Sequence, residues 1–142
     1  MTALFRNSRS TWTALWLAAL VGLGTGCHDM QKDKHEKTLR QRYGELAVLL
    51  CQGDYASCVK YTNPEIVRAK GTEGVTGFYK LIGFVVTLAK LTPEDMRVDK
   101  ITMDENFTTA QLYTSHLTKG EWKPQNPLKW VRVEGQWYLT DK

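Results

Sequence analysis

The hydrophobic period of this chain changes once, near Met96, and that change sets its fold class. Before it, apolar residues recur at helical intervals; after it, they fall in short runs rich in Thr, Val, Tyr, Phe and Trp. Leu39, Tyr43, Leu46 and Leu50 stand at i, i+4, i+7 and i+11, one face of a helix over about 34–51. Gly53 can end that helix, and Asp54 is placed to cap a short second one over 55–61. Asn63-Pro64-Glu65 is a helix start, Gly71 ends its turn, and Thr72 opens a longer helix. The apolar face of that helix, from Val75 through Phe78, Tyr79, Ile82 and Phe84 to Leu88, is wide, which predicts a largely buried element. Residues 97–103, 107–117, 128–133 and 137–140 read as strands, with Glu134-Gly135 as a tight hairpin. Pro124 and Pro127 mark an edge loop around Trp122. Helices first and antiparallel strands after give an α+β plan, with N-terminal helices packed on a sheet of about four strands.

Charge is unevenly placed. The net charge is +4, yet residues 43–142 hold 12 basic and 12 acidic side chains. The surplus lies upstream: Arg6 and Arg9 come before any acid, and residues 28–42 carry five basic and three acidic groups. A neutral domain argues against a nucleic-acid surface. After Arg9 no charge occurs until Asp29, and residues 14–23 are an apolar run of ten. Ten residues reach roughly 15 Å as a helix, against about 30 Å of hydrocarbon, so a secretory signal is favoured over a membrane span.

The run ends in Leu23-Gly24-Thr25-Gly26-Cys27. It resembles the bacterial lipoprotein signal, in which small residues precede a cysteine that becomes acylated and is then the mature N-terminus. Gly24 departs from that pattern. The resemblance implies a signal peptide over 1–26 and a lipid-carrying (palmitate-type) Cys27. It also implies a membrane partner through that anchor, with His28 after the cysteine pointing to the outer membrane, facing the periplasm. Residues 27–38 are polar and suit a solvated tether. Their His28, Asp29, Asp33, His35 and Glu36 match no recognised ligand spacing, so no metal is assigned.

The order helix, GDYASCVKYTNPEIVRAKG, GVTGFYKLIGF and a closing KWVRVEGQWYLTDK resembles the nuclear-transport-factor-2-like, or cystatin-like, cone fold. The likeness spans about residues 36–142 and implies a single cone-like α+β domain with a curved sheet, set here at 39–142. It carries no activity with it. Relatives by fold include isomerases, cyclases and dehydratases that place Asp, His or Tyr inside the cone. Here the acids sit in turns or beside cations: Glu94-Asp95, Asp99-Lys100 and Asp104-Glu105. Ser115 and His116 are neighbours on a strand and so face opposite ways, which forbids a direct nucleophile–base pair. No catalytic residue and no cofactor is assigned.

With Cys27 acylated, Cys51 and Cys58 remain as an even pair across the Gly53-Asp54 break, which suits a disulfide in an oxidising compartment. Trp130 and Trp137 read as core and cross-strand packing. Trp122, with Tyr79 and Tyr113, is the candidate contact for an envelope protein or a small apolar ligand. The expectation is a non-catalytic binding or accessory module of the cell envelope. Its rivals are a partner-blocking, immunity-type protein and an enzyme of the same fold. A buried, uncompensated acid in a solvent-connected cavity would favour the enzyme; a flat or convex patch around Trp122 with no cavity would favour the blocker.

Overall fold

The face of Leu39, Tyr43, Leu46 and Leu50 is buried at every position, and it lies on α1, Thr13–Gln52. The computed structural model describes residues 13–142, with side chains from Gly26 onward. Of the signal expected over 1–26, residues 1–12 lie outside that description, and of 13–25 only the backbone is described. Among the described residues no helix is long and apolar enough to cross a membrane. The helix starts well before residue 34. The tether expected over 27–38 is helical, because Gln31, Lys32, Lys34, Glu36 and Lys37 are good helix formers with no Gly or Pro among them. The chain divides into a unit Met1–Lys34 and a unit His35–Lys142, and the second contains all of the sheet and both apolar clusters.

Asp54 caps α2, Tyr55–Cys58, by accepting from the Ser57 N–H at 3.3 Å. A 3-10 turn, Val59–Tyr61, leads to Asn63, whose side chain accepts from the Glu65 N–H at 3.0 Å and starts α3, Pro64–Leu88. Gly71 breaks α3 with φ 73°, a left-handed conformation that glycine adopts freely. The expected caps and the break are thus all present.

Five antiparallel strands follow, one more than expected: β1 Met96–Met103, β2 Thr109–Thr118, β3 Glu121–Pro124, β4 Leu128–Val133 and β5 Gln136–Thr140. The order is β1-β2-β4-β5, with β3 also paired to β2. The extra strand is the segment expected as a loop around Trp122. Lys119 and Gly120, with φ 52° and 78°, make a tight hairpin that sets Trp122 opposite Leu117. Pro124 ends that pairing, and the Gln125 N–H donates to Thr114 O at 2.9 Å before β4 resumes beside the other half of β2. Glu134-Gly135, with φ 50° and 82°, forms the hairpin read from the sequence. Helices packed on an antiparallel sheet make the α+β class a finding.

Two apolar clusters hold the unit together. One joins Leu39 and Tyr43 of α1 to Ile101, Leu112, Trp130 and Trp137 of the sheet. The other joins Leu46 and Leu50 to Cys58, Tyr61, Val75 and Tyr79. α3 departs from expectation: only Val75, Tyr79, Gly83 and Val86 are buried, while Phe78, Leu81, Phe84, Val85 and Leu88 are exposed. The buried set recurs every three or four residues and occupies one side of the helix, so the remaining apolar residues fall on the other.

Gly83 is where α3 meets α2, because a methyl group there would run into the Tyr55 ring. Gly77 has open space around it. Gly77→Ala is therefore expected to raise stability by about 1 kcal/mol, the helix-propensity gain. Gly83→Ala is expected to lower it by about 1 kcal/mol, since displacing the ring outweighs that gain. In a Tyr55→Ala background the Gly83→Ala change should turn stabilising. Urea unfolding of the four variants checks both signs.

Candidate ligand cavity

β2 alternates: Ala110, Leu112 and Thr114 turn inward, and Thr109, Gln111 and Tyr113 outward. Past Thr114 the inward row ends at His116, which borders a cavity of about 280 Å³. Tyr43, Leu46, Ala47 and Leu50 of α1 form one wall, and Tyr79, Ile82 and Val86 of α3 another. Gln125 and Asn126, between β3 and β4, stand at its edge. A second cavity, about 350 Å³, lies beyond Tyr79, Leu128 and Leu139, which border both. Val75, Ile66 and Phe78 line it, with Lys70 and Asp141 among its polar groups. Both are open to solvent along one side, and Tyr79 stands between them.

The first cavity is electrically neutral. No Asp, Glu, Lys or Arg lines it. Burial pushes the Tyr43 phenol up against the opposing hydrogen bond of the Thr114 side chain, and pushes Tyr79 up to about 12. Burial moves His116 the other way, below its ordinary value, which favours the uncharged imidazole. Tyr79 is further fixed by a 2.7 Å hydrogen bond to the Thr62 hydroxyl. Apolar walls with a few neutral polar groups suit an uncharged, mostly apolar guest.

None of the acids named from the sequence lines this cavity, and three of them hold turns or strands elsewhere. Asp95 accepts from the Thr92 N–H and hydroxyl at 2.9 and 3.0 Å. Asp99 accepts from Arg97 Nε at 2.7 Å and from the Ser115 hydroxyl. Burial works to raise the Asp104 pKa, but hydrogen bonds from the Thr108 hydroxyl and the Thr108 and Thr109 N–H groups outweigh it and bring it to about 2. Ser115 thus serves β1 while His116 faces the cavity, and the two do not meet. Among the described residues no group of three or more His, Cys, Asp or Glu is placed to hold a metal.

Tyr79, Tyr113 and Trp122 are not brought together. Tyr79 is buried between the cavities. Tyr113 is on the outward face of β2, with its hydroxyl donating to Gln111 Oε1 at 3.1 Å. Trp122, 36 % exposed, lies on β3 under the Arg97 guanidinium, 4.1 Å from the ring centroid. The expected Cys51–Cys58 bridge is not formed: both are free thiols. Cys51 Sγ donates to Leu91 O at 3.5 Å, whereas Cys58 is turned into the helical cluster and donates to Asp54 O at 3.4 Å. Burial raises both thiols, Cys58 to about 11. Cys27 is exposed.

No family model and no curated protein matches the chain. The solved structures similar to it include two NTF2-like proteins. One is an NTF2-like protein with a cystatin-like fold from Novosphingobium aromaticivorans, at 8% identity and a TM-score of 0.47, over 82% of this chain and 84% of the other. The other is a putative NTF2-like transpeptidase from Campylobacter jejuni, at 20% identity and a TM-score of 0.43, over 73% of this chain and 94% of the other.

Proposed function

We propose that this chain is an exported, lipid-anchored module of the bacterial cell envelope that binds a small, uncharged, largely apolar ligand in the cavity between α1, α3 and β2. The observation that carries it is the uncharged wall around Tyr43, Tyr79, Thr114 and His116. A general acid or base would need a titratable group poised near working pH and aimed at the guest. Asp95, Asp99 and Asp104 are engaged in turns and on β1, and His116, the one imidazole bordering the cavity, has no carboxylate among the lining residues to pair with, which supports binding over catalysis. A partner-blocking role around Trp122 is less well supported, since Arg97 already covers one face of that ring. The lipid anchor rests on the small residues before Cys27 and the short apolar run upstream.

Titration of the full chain with an apolar fluorescent dye, N-phenyl-1-naphthylamine, tests the cavity. Ala47 is buried in its wall, so Ala47→Phe fills it from α1. The variant is expected to bind the dye about tenfold more weakly or worse, a loss of about 1.4 kcal/mol. Equal binding would place the dye elsewhere and refute the cavity as the site. In a bacterial host, Cys27→Ser should move the protein from the membrane to the soluble fraction. A wild type already soluble in the periplasm refutes the anchor and leaves the cavity standing.

A further inference from the structure

We propose that the outer face of α3 is the contact surface for a second copy of this chain, packed helix against antiparallel helix about a two-fold axis at the level of residue 83. Phe78, Leu81, Val85 and Leu88, with Phe84 beside them, are each 55 to 70 % exposed, although they are large and apolar. Their spacing of three, four and three residues is that of a helix–helix seam, in which apolar side chains recur every 3.5 residues on average. This spacing reads the same in both directions. In an antiparallel pair Phe78 meets Leu88 of the other copy and Leu81 meets Val85 of the other copy. Every member of the stripe thus finds a member of the stripe, the condition for a two-fold contact. Opposed helix dipoles favour the same arrangement.

Area and charge select a second copy. At about 200 Å² for a whole side chain of this size, the five residues expose on the order of 600 Å². That is the upper end of what a monomer usually leaves bare. Two such faces bury about 1,200 Å², the lower bound of a stable specific interface. Between Glu73 and Lys90 the only charged residue is Lys80, so no repulsion opposes self-pairing. A helix lying on anionic lipid would carry a row of Lys or Arg along its edges, whereas α3 beyond Gly71 carries Lys80 alone.

Sedimentation velocity of the full chain should show a dimer. The variant with Leu81→Glu and Val85→Glu should be a monomer, its dissociation constant raised about tenfold or more. Both positions are exposed, so its far-ultraviolet circular dichroism spectrum should match the wild type, while its melt should lose the concentration dependence of a dimer. A separate variant, Leu81→Cys with Val85→Cys, gives the register under mild oxidation. Peptide mass spectrometry should find an interchain link joining position 81 to position 85. A monomeric wild type, a dimer unchanged by the two glutamates, or links only between like positions would overturn the proposal. So would a wild type that stays monomeric but sediments with phosphatidylglycerol vesicles, with the glutamates abolishing that binding; the face would then belong to the membrane.

Discussion

Trp137→Ala is expected to lower the free energy of unfolding by about 3–5 kcal/mol, and Trp130→Ala by a similar amount. Trp122→Ala should cost about 1 kcal/mol or less. The three rings lie within one short stretch of sequence and differ only in what surrounds them. Trp130 and Trp137 are each 1 % exposed and belong to the cluster that joins α1 to the sheet. Trp137 also donates its indole N–H to His35 Nδ1 at 3.2 Å and meets that ring edge-on at 5.7 Å. The His35 ring in turn lies 5.0 Å from the Phe107 ring, with Arg132 Nη1 3.1 Å from its Nε2. Removing the indole leaves a cavity and takes a partner from His35. The Trp130 N–H is buried without a partner, so its ring contributes through packing alone. Trp130→Phe should therefore cost less than Trp137→Phe. Thermal and urea melts of the five variants decide the ranking. If Trp122→Ala were as damaging as Trp137→Ala, the Trp122 ring would be core and β3 would present no exposed aromatic surface.

Much of this architecture is legible in the sequence because it is local. The buried face of α1 is set by four residues at helical spacing, and the caps at Asp54 and Asn63 act within three residues of themselves. The Glu134-Gly135 hairpin needs only two left-handed residues. The misses depend on partners distant in the chain. A wide apolar face on α3 reads as a buried helix, but sequence alone does not say how many sides of a helix are covered. Strand β3 was hidden by Pro124 and Pro127 at its far end, although the left-handed pair Lys119-Gly120 is the local device that doubles it back on β2. His35 packs against Trp137 across 102 positions, which no spacing reveals. The cysteine pair failed for a different reason. Parity and compartment say how many thiols can pair, while geometry turns Cys51 toward Leu91 and Cys58 into the core. Of the cavity, the neutral wall was half legible: the sequence places its acids in turns, but the meeting of Tyr43, Tyr79 and His116 is a product of tertiary packing.

Tyr79→Ala should have two effects of opposite use to the molecule. It should lower stability by about 3–5 kcal/mol, as for other large aromatic truncations, since the ring is fully buried among Val75, Leu46 and Cys58. It should also join the two cavities, because Tyr79 borders both. The variant is then expected to take up apolar dye more tightly, or in a bulkier form, than the wild type. Tyr79→Phe separates the two consequences. It keeps the ring and the partition, so dye binding should hardly change. It removes only the hydroxyl that bonds to Thr62, a residue itself buried, and an unpaired buried hydroxyl costs about 1–3 kcal/mol. Urea unfolding at low temperature gives the stabilities, and dye titration below the unfolding range gives the binding. A folded Tyr79→Ala variant with unaltered dye affinity and capacity would mean that the space on either side of Tyr79 closes up in solution. The dye site would then lie clear of Tyr79, and that ring would be ordinary core rather than a partition between two cavities.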